Sequence, residues 1–65
     1  MKITLNGEPI EISSLSLAEL LVTYEYKAES VATAINGEFV AITERDQTQL
    51  VENDSVDVIA PMAGG

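Results

Sequence analysis

Lys2-Ile3-Thr4-Leu5-Asn6-Gly7-Glu8-Pro9-Ile10-Glu11-Ile12, followed after a short gap by Ser16-Leu17-Ala18-Glu19-Leu20-Leu21, decides the fold. The first stretch alternates polar and apolar residues, so its side chains divide between the two faces of a strand. Asn6-Gly7 interrupts the alternation, and this dipeptide is the strongest short-range signal for a type I′ hairpin turn. A β-hairpin with Ile3, Leu5, Ile10 and Ile12 on its buried face is expected. Pro9 has no amide hydrogen for a ladder bond, so its strand lies at a sheet edge or turns that nitrogen away from any neighbour.

At Ser16 the period lengthens from that of a strand to that of a helix. Ser16-Leu17-Ala18-Glu19 fits a capping box, with Ser16 as N-cap and Glu19 at N3. Leu15 and Leu20 are spaced for the accompanying hydrophobic staple. Leu17, Leu20, Leu21 and Tyr24 share one helical face, so a helix to about Tyr26 buries that stripe on the sheet. Lys27 follows at its C-terminal end, where a cation complements the helix dipole.

The remainder reads as strands and turns. Val31 to Ile35 is rich in β-branched residues, although Ala32 and Ala34 leave its inward face open. Asn36-Gly37 repeats the hairpin signal, and Phe39-Val40-Ala41-Ile42 returns as a fourth strand. Thr43 to Gln49 can hold a short helical turn, capped by Thr43 with Asp46 at N3. Asn53-Asp54 marks a turn in which Asn53 tolerates a left-handed backbone. The last strand runs from Val56 to Ile59 or Ala60, with Val56 and Val58 inward and Asp57 in solvent. Pro61 ends it. Residues 1–60 then form one domain and 61–65 a tail, whose Met62-Ala63-Gly64-Gly65 has nothing to pack against and is expected to be mobile. Strands divided by a single helix argue for an α+β domain with one mixed sheet of about four to five strands.

Composition narrows the chemistry. A chain of 65 residues is one small domain near the lower limit for folding without staples. It contains no cysteine and no histidine, which excludes disulfides, thiolate zinc sites and the commonest general base. Carboxylates, hydroxyls, Tyr24, Tyr26, Lys2, Lys27 and Arg45 remain, and no nucleophile–base pair can be assembled from them. The chain reads as a protein that is acted upon, not an enzyme. Its net charge of −8, from 11 acidic and 3 basic residues, opposes nucleic acid and anionic membrane. The same charge favours a basic protein surface as partner and also keeps a small protein soluble. No signal peptide or membrane-length apolar run is present, so a cytoplasmic protein, monomeric when free, is expected.

The Gly64-Gly65 ending carries the functional reading. At average glycine usage of roughly 7%, two terminal glycines arise by chance in about one chain in 200. Without Cβ atoms such a tail can extend into a narrow channel, and its carboxylate is open on every side. Ile59 shares a face with Asp57 beside this tail, so it either offers an exposed apolar contact or packs against another strand or the short turn. Met62 is similarly placed, with a side chain that adapts to more than one surface. Glu52, Asp54 and Asp57 are expected to form a solvated acidic face.

Taken together these residues resemble the ThiS family, the sulfur carriers of thiamine biosynthesis. The resemblance runs through Met1-Lys2-Ile3-Thr4-Leu5-Asn6-Gly7-Glu8, the helical Leu17-Ala18-Glu19-Leu20-Leu21, and Val31-Ala32-Thr33-Ala34-Ile35-Asn36-Gly37-Glu38-Phe39-Val40. It closes with Val56-Asp57-Val58-Ile59 and Pro61-Met62-Ala63-Gly64-Gly65. Two places depart from it: Asn53-Asp54 stands where Gly-Asp is usual, and Thr43-Glu44-Arg45 where a Pro-Arg pair is usual. Asparagine tolerates the left-handed geometry, so the first leaves the fold intact; the second bears on local partner contacts. The resemblance implies a ubiquitin-like β-grasp fold, no bound cofactor, and a cycle at Gly65. A ubiquitin-activating-type adenylyltransferase would use ATP to adenylate the Gly65 carboxylate. A persulfide protein would supply sulfur, leaving a thiocarboxylate that thiazole synthase accepts. Gly64, Ala63 and Met62 would thread into each active site, with Ile59 and Asp57 as docking contacts. A molybdopterin synthase small subunit, another sulfur carrier, a ubiquitin-like modifier or a plain interaction module are the alternatives.

Overall fold

The computed structural model describes residues 1–13 and 15–60. The expected strand end at Pro61 and the tail from Met62 to Gly65 lie outside those residues. Elements follow in the order β1 (Lys2–Leu5), β2 (Glu8–Glu11), α1 (Leu17–Thr23), a 3₁₀ turn Ala28–Ser30, β3 (Ala32–Ile35), β4 (Glu38–Val40), a second 3₁₀ turn Ile42–Gln47, and β5 (Ser55–Ile59). The strands form one sheet in the order β2-β1-β5-β3-β4. β5 runs parallel to β1 and antiparallel to β3, so the sheet is mixed and its last strand lies at the centre. Both hairpins form on their Asn-Gly turns, with φ of 51° and 85° at Asn6 and Gly7 and 53° and 85° at Asn36 and Gly37. Positive φ at both central residues is the requirement of a type I′ turn, which these residues meet at little cost. Pro9 pairs with Thr4 on edge strand β2, where the missing amide hydrogen costs no ladder bond.

One apolar layer holds helix to sheet. Leu17, Leu20 and Leu21 of α1 are fully buried against Ile3 and Leu5 of β1, Val56 and Val58 of β5, Val31 and Leu50. Ile10, Ile12 and Leu15 pack partly buried at its margin. The capping box is present: Glu19 N–H donates to Ser16 Oγ at 3.1 Å, and Ser16 N–H donates to Glu19 Oε1 at 2.8 Å. On β3 the buried Thr33 faces the helix, as does Val31 just before the strand, and the alanines face away, which resolves that strand's direction.

Several expectations need correction. The helix ends at Thr23 instead of Tyr26, because Glu25 takes a left-handed φ of 62°. The Glu25 amide then donates to Val22 O at 3.0 Å and the Tyr26 amide to Leu21 O at 2.9 Å, which is a Schellman closure without glycine. Tyr24 therefore leaves the buried stripe and is exposed, while Tyr26 packs partly buried against the core. Lys27 falls beyond the helix, at the start of the first 3₁₀ turn. β4 stops at Val40, because Ala41 already caps the second 3₁₀ turn; Thr43 lies inside that turn and is not its cap. Asp54 is buried, not part of a solvated face: its carboxylate accepts from Val51 N–H at 2.9 Å and from Asn36 Nδ2 at 3.0 Å. Asn53 has the expected left-handed backbone, at φ 72°.

The Schellman site yields one prediction. Glu25→Gly removes the left-handed strain and should stabilise the fold by about 0.5–1 kcal/mol, a Tm rise of a few degrees by calorimetry. An unchanged or lower Tm would show that the Glu25 side chain matters more than its backbone. The asparagines yield a second. Asn36→Asp sets two carboxylates against each other at the Asp54 contact and should cost about 1–3 kcal/mol in urea unfolding. Asn6→Asp keeps the acceptor used by Val58 N–H and should stay within about 0.5 kcal/mol; equal losses at both positions would refute the assignment.

Candidate functional site

Strand parity builds the site. Because Asn36-Gly37 is a tight turn, Ala34 pairs with Phe39 across β3 and β4, and on the other side with Asp57 of β5. Ala32 pairs with Ile59. Directly paired residues point to the same side of a sheet, so Phe39, Ala34, Ala32, Asp57 and Ile59 all stand on the face away from the helix. Phe39 is 72% exposed and Ile59 60% exposed. Between them the alanines are too short to reach the height of either side chain. The result is a trough with an alanine floor, an aromatic wall, an aliphatic wall and one carboxylate, half-buried Asp57.

At the Ile59 end the trough continues into a groove lined by Glu29, Ser30, Val31, Ala32 and Ile59. The chain leaves β5 here, so whatever grips the groove also grips the base of the segment that follows Ala60. Charge on this molecule is one-sided. Arg45 is only 3% exposed, which leaves Lys2 and Lys27 as the exposed basic side chains against a largely exposed acidic set. A partner approaching this surface meets an anionic field around an apolar centre.

The structure brings two expected contacts together, Ile59 and Asp57, on one face and in neighbouring rows. It resolves the packing question for Ile59 in favour of exposure. Gly65, Gly64, Ala63 and Met62 lie outside the described residues. Phe39 and the Glu29-Ser30 rim were not anticipated. The signal for Phe39 was present in the sequence: counting back from the Asn36-Gly37 turn pairs it with Ala34 and fixes its face. Nothing in the sequence pointed to the rim, whose position depends on a 3₁₀ turn. Among the described residues no cluster of acidic side chains is arranged to hold a metal ion, and no helix is long and apolar enough to cross a membrane.

The sequence model of the ThiS family matches residues 3–65. The chain belongs to that family. Its fold is close to the crystal structure of the thiamine biosynthesis protein ThiS from Geobacter metallireducens. That comparison gives a TM-score of 0.87 and 33% identity over the whole of both chains. The solution NMR structure of a thiamine biosynthesis protein from the same organism gives a TM-score of 0.83 and 33% identity, covering 100% of this chain and 88% of that one. No curated protein sequence matches the chain. ThiS proteins are small sulfur carriers and not enzymes, and the fold is the ubiquitin-like β-grasp. Membership implies, in general, work with an activating enzyme and with thiazole synthase.

The trough gives this ThiS-family chain a measurable signature. Phe39→Ala and Ile59→Ala should each weaken binding to the activating enzyme by about 1–2 kcal/mol in calorimetry. Both side chains are mostly in water, so melting should move by no more than about 0.5 kcal/mol. Wild-type affinity should also fall as salt rises, since the attraction is partly between exposed charges. Undiminished binding by both variants would exclude the trough as a docking surface, and salt-independent affinity would remove the electrostatic part.

Proposed function

We propose that this chain carries sulfur for assembly of the thiamine thiazole ring, as a thiocarboxylate on Gly65. The observation that carries the reading is the family match reaching through residue 65, and so through the Gly-Gly end, on a fold whose central strand leads into that end. A carboxylate is a poor acyl donor until its oxygen is made a leaving group. The activating enzyme supplies that step: a Gly65 carboxylate oxygen attacks the α-phosphorus of ATP, pyrophosphate leaves, and an acyl adenylate remains.

The terminal sulfur of a persulfide partner then attacks the Gly65 carbonyl carbon and expels AMP, giving an acyl disulfide. A thiol cleaves its S–S bond, is oxidised to a disulfide with the donor sulfur, and releases the thiocarboxylate. Thiazole synthase takes the sulfur and returns the carboxylate. This chain contributes no acid, base or cofactor to the cycle; ATP belongs to the activating partner. Its contributions are the docking trough and a tail of Met62, Ala63, Gly64 and Gly65 that enters successive active sites. Gly64 and Gly65 keep that entry free of side-chain clashes. Residues 1–60 act as the handle and 61–65 as the working arm.

Gly64→Val, or one residue added after Gly65, should abolish adenylation in an ATP–pyrophosphate exchange assay while leaving Tm nearly unchanged. Full exchange activity in both variants would remove the threading argument. A clear loss of Tm would instead show that the tail is packed on the domain.

A further inference from the structure

Arg45 is the one buried basic side chain among the described residues, at 3% exposure, and its three hydrogen-bond acceptors are all uncharged. Its Nε donates to Thr33 Oγ1 at 3.1 Å, one terminal nitrogen donates to Ala28 O at 2.8 Å, and the other donates to Val31 O at 2.6 Å. Thr33 passes the chain on, its hydroxyl donating to Val40 O at 2.9 Å. Burying a guanidinium on uncharged acceptors is costly, and the fan of donors offsets that cost only while every acceptor stays in place.

The placement of those acceptors matters. Ala28 and Val31 flank Glu29 and Ser30, and Glu29, Ser30 and Val31 line the groove opposite Ile59. The 3₁₀ turn between them has no side-chain cap of its own; its backbone hydrogen bond runs from Ser30 N–H to Lys27 O at 2.9 Å. A three-residue turn held by one such bond is weak by itself. Arg45 therefore grips the carbonyls at both ends of the segment that forms the groove wall. It does so from the second 3₁₀ turn, across the interior, without touching the surface that a partner meets.

We propose that Arg45 is a positioning residue for docking: it sets the groove at the base of the tail, and through it the affinity of the activating enzyme. The inference rests on the sulfur-carrier reading above. Substituting methionine keeps an unbranched apolar stem but supplies no donors. Lysine supplies a point charge that can reach one acceptor but cannot span the carbonyls as the planar fork does.

The test compares wild type, Arg45→Met and Arg45→Lys with Ile10→Ala, a destabilising control on β2 at the far edge of the sheet. All are assayed in ATP–pyrophosphate exchange with the activating enzyme, at a temperature where each is folded. Arg45→Met should raise KM about tenfold with kcat near the wild-type value, because the loss is in docking and not in adenylation. Arg45→Lys should recover part of that loss, and Ile10→Ala should leave KM unchanged. In ¹⁵N spectra the Glu29 and Ser30 amides should shift in Arg45→Met but not in Ile10→Ala. A wild-type KM in folded Arg45→Met, or an equal rise in the control, would overturn the proposal. If wild type itself supports no exchange, the carrier reading fails and the docking role fails with it. In that case unmoved Glu29 and Ser30 amides would separately refute the clasp.

Discussion

Two asparagine side chains hold the central strand, and the sheet depends on them. Asn6 gives its amide to Val56 O and takes the Val58 amide on its Oδ1, both at 2.8 Å. Asn36 gives its amide to Ser55 O at 2.8 Å and takes the Ser55 amide on its Oδ1 at 2.9 Å. Each residue thus turns a hairpin and also stitches that hairpin to β5. β5 enters the sheet last in chain order yet sits at its centre, flanked by elements from distant parts of the sequence. Side-chain oxygens acting as extra ladder acceptors at the hairpin ends fix its register. Asp54, held by Asn36 and by the Val51 amide, fixes where the strand starts.

This constraint has a functional consequence. A strand locked on both sides presents its odd-numbered residues outward in a fixed row, and Asp57 and Ile59 belong to that row. The neighbouring alanines of β3 keep the row accessible, and Phe39 bounds it on the far side. The helix takes no part in this face. Its three buried leucines supply the packing that lets a chain this small tolerate an exposed apolar trough on the opposite side. Division of labour between the two faces suits a carrier: one face folds the domain, and the other is left free for a partner.

Much of this was legible in the sequence because the signals were local. Asn-Gly turns, alternation in the first hairpin and the Ser16–Glu19 box each depend on residues within a few positions, and each appears as expected. What was not legible depended on contacts between distant segments. The helix stops early because Glu25 accepts a conformation normally left to glycine, and no propensity argument predicts that choice. Asp54 reads as a surface acid until Asn36 is brought beside it. Arg45 sits in a polar run, and only the fold brings Ala28, Val31 and Thr33 around it. At the site, Ile59 and Asp57 followed from strand parity. Phe39 follows from the same pairing carried through the second turn, but the groove rim does not.

Gly65 is the proposed point of sulfur attachment. The most direct test is the intact mass of the protein, with fragmentation, after incubation with the activating enzyme, ATP and a persulfide donor. The predicted result is a gain matching one oxygen replaced by sulfur, located at Gly65 and dependent on ATP. An unmodified terminus, with a partner set that loads another ThiS protein in parallel, would contradict it.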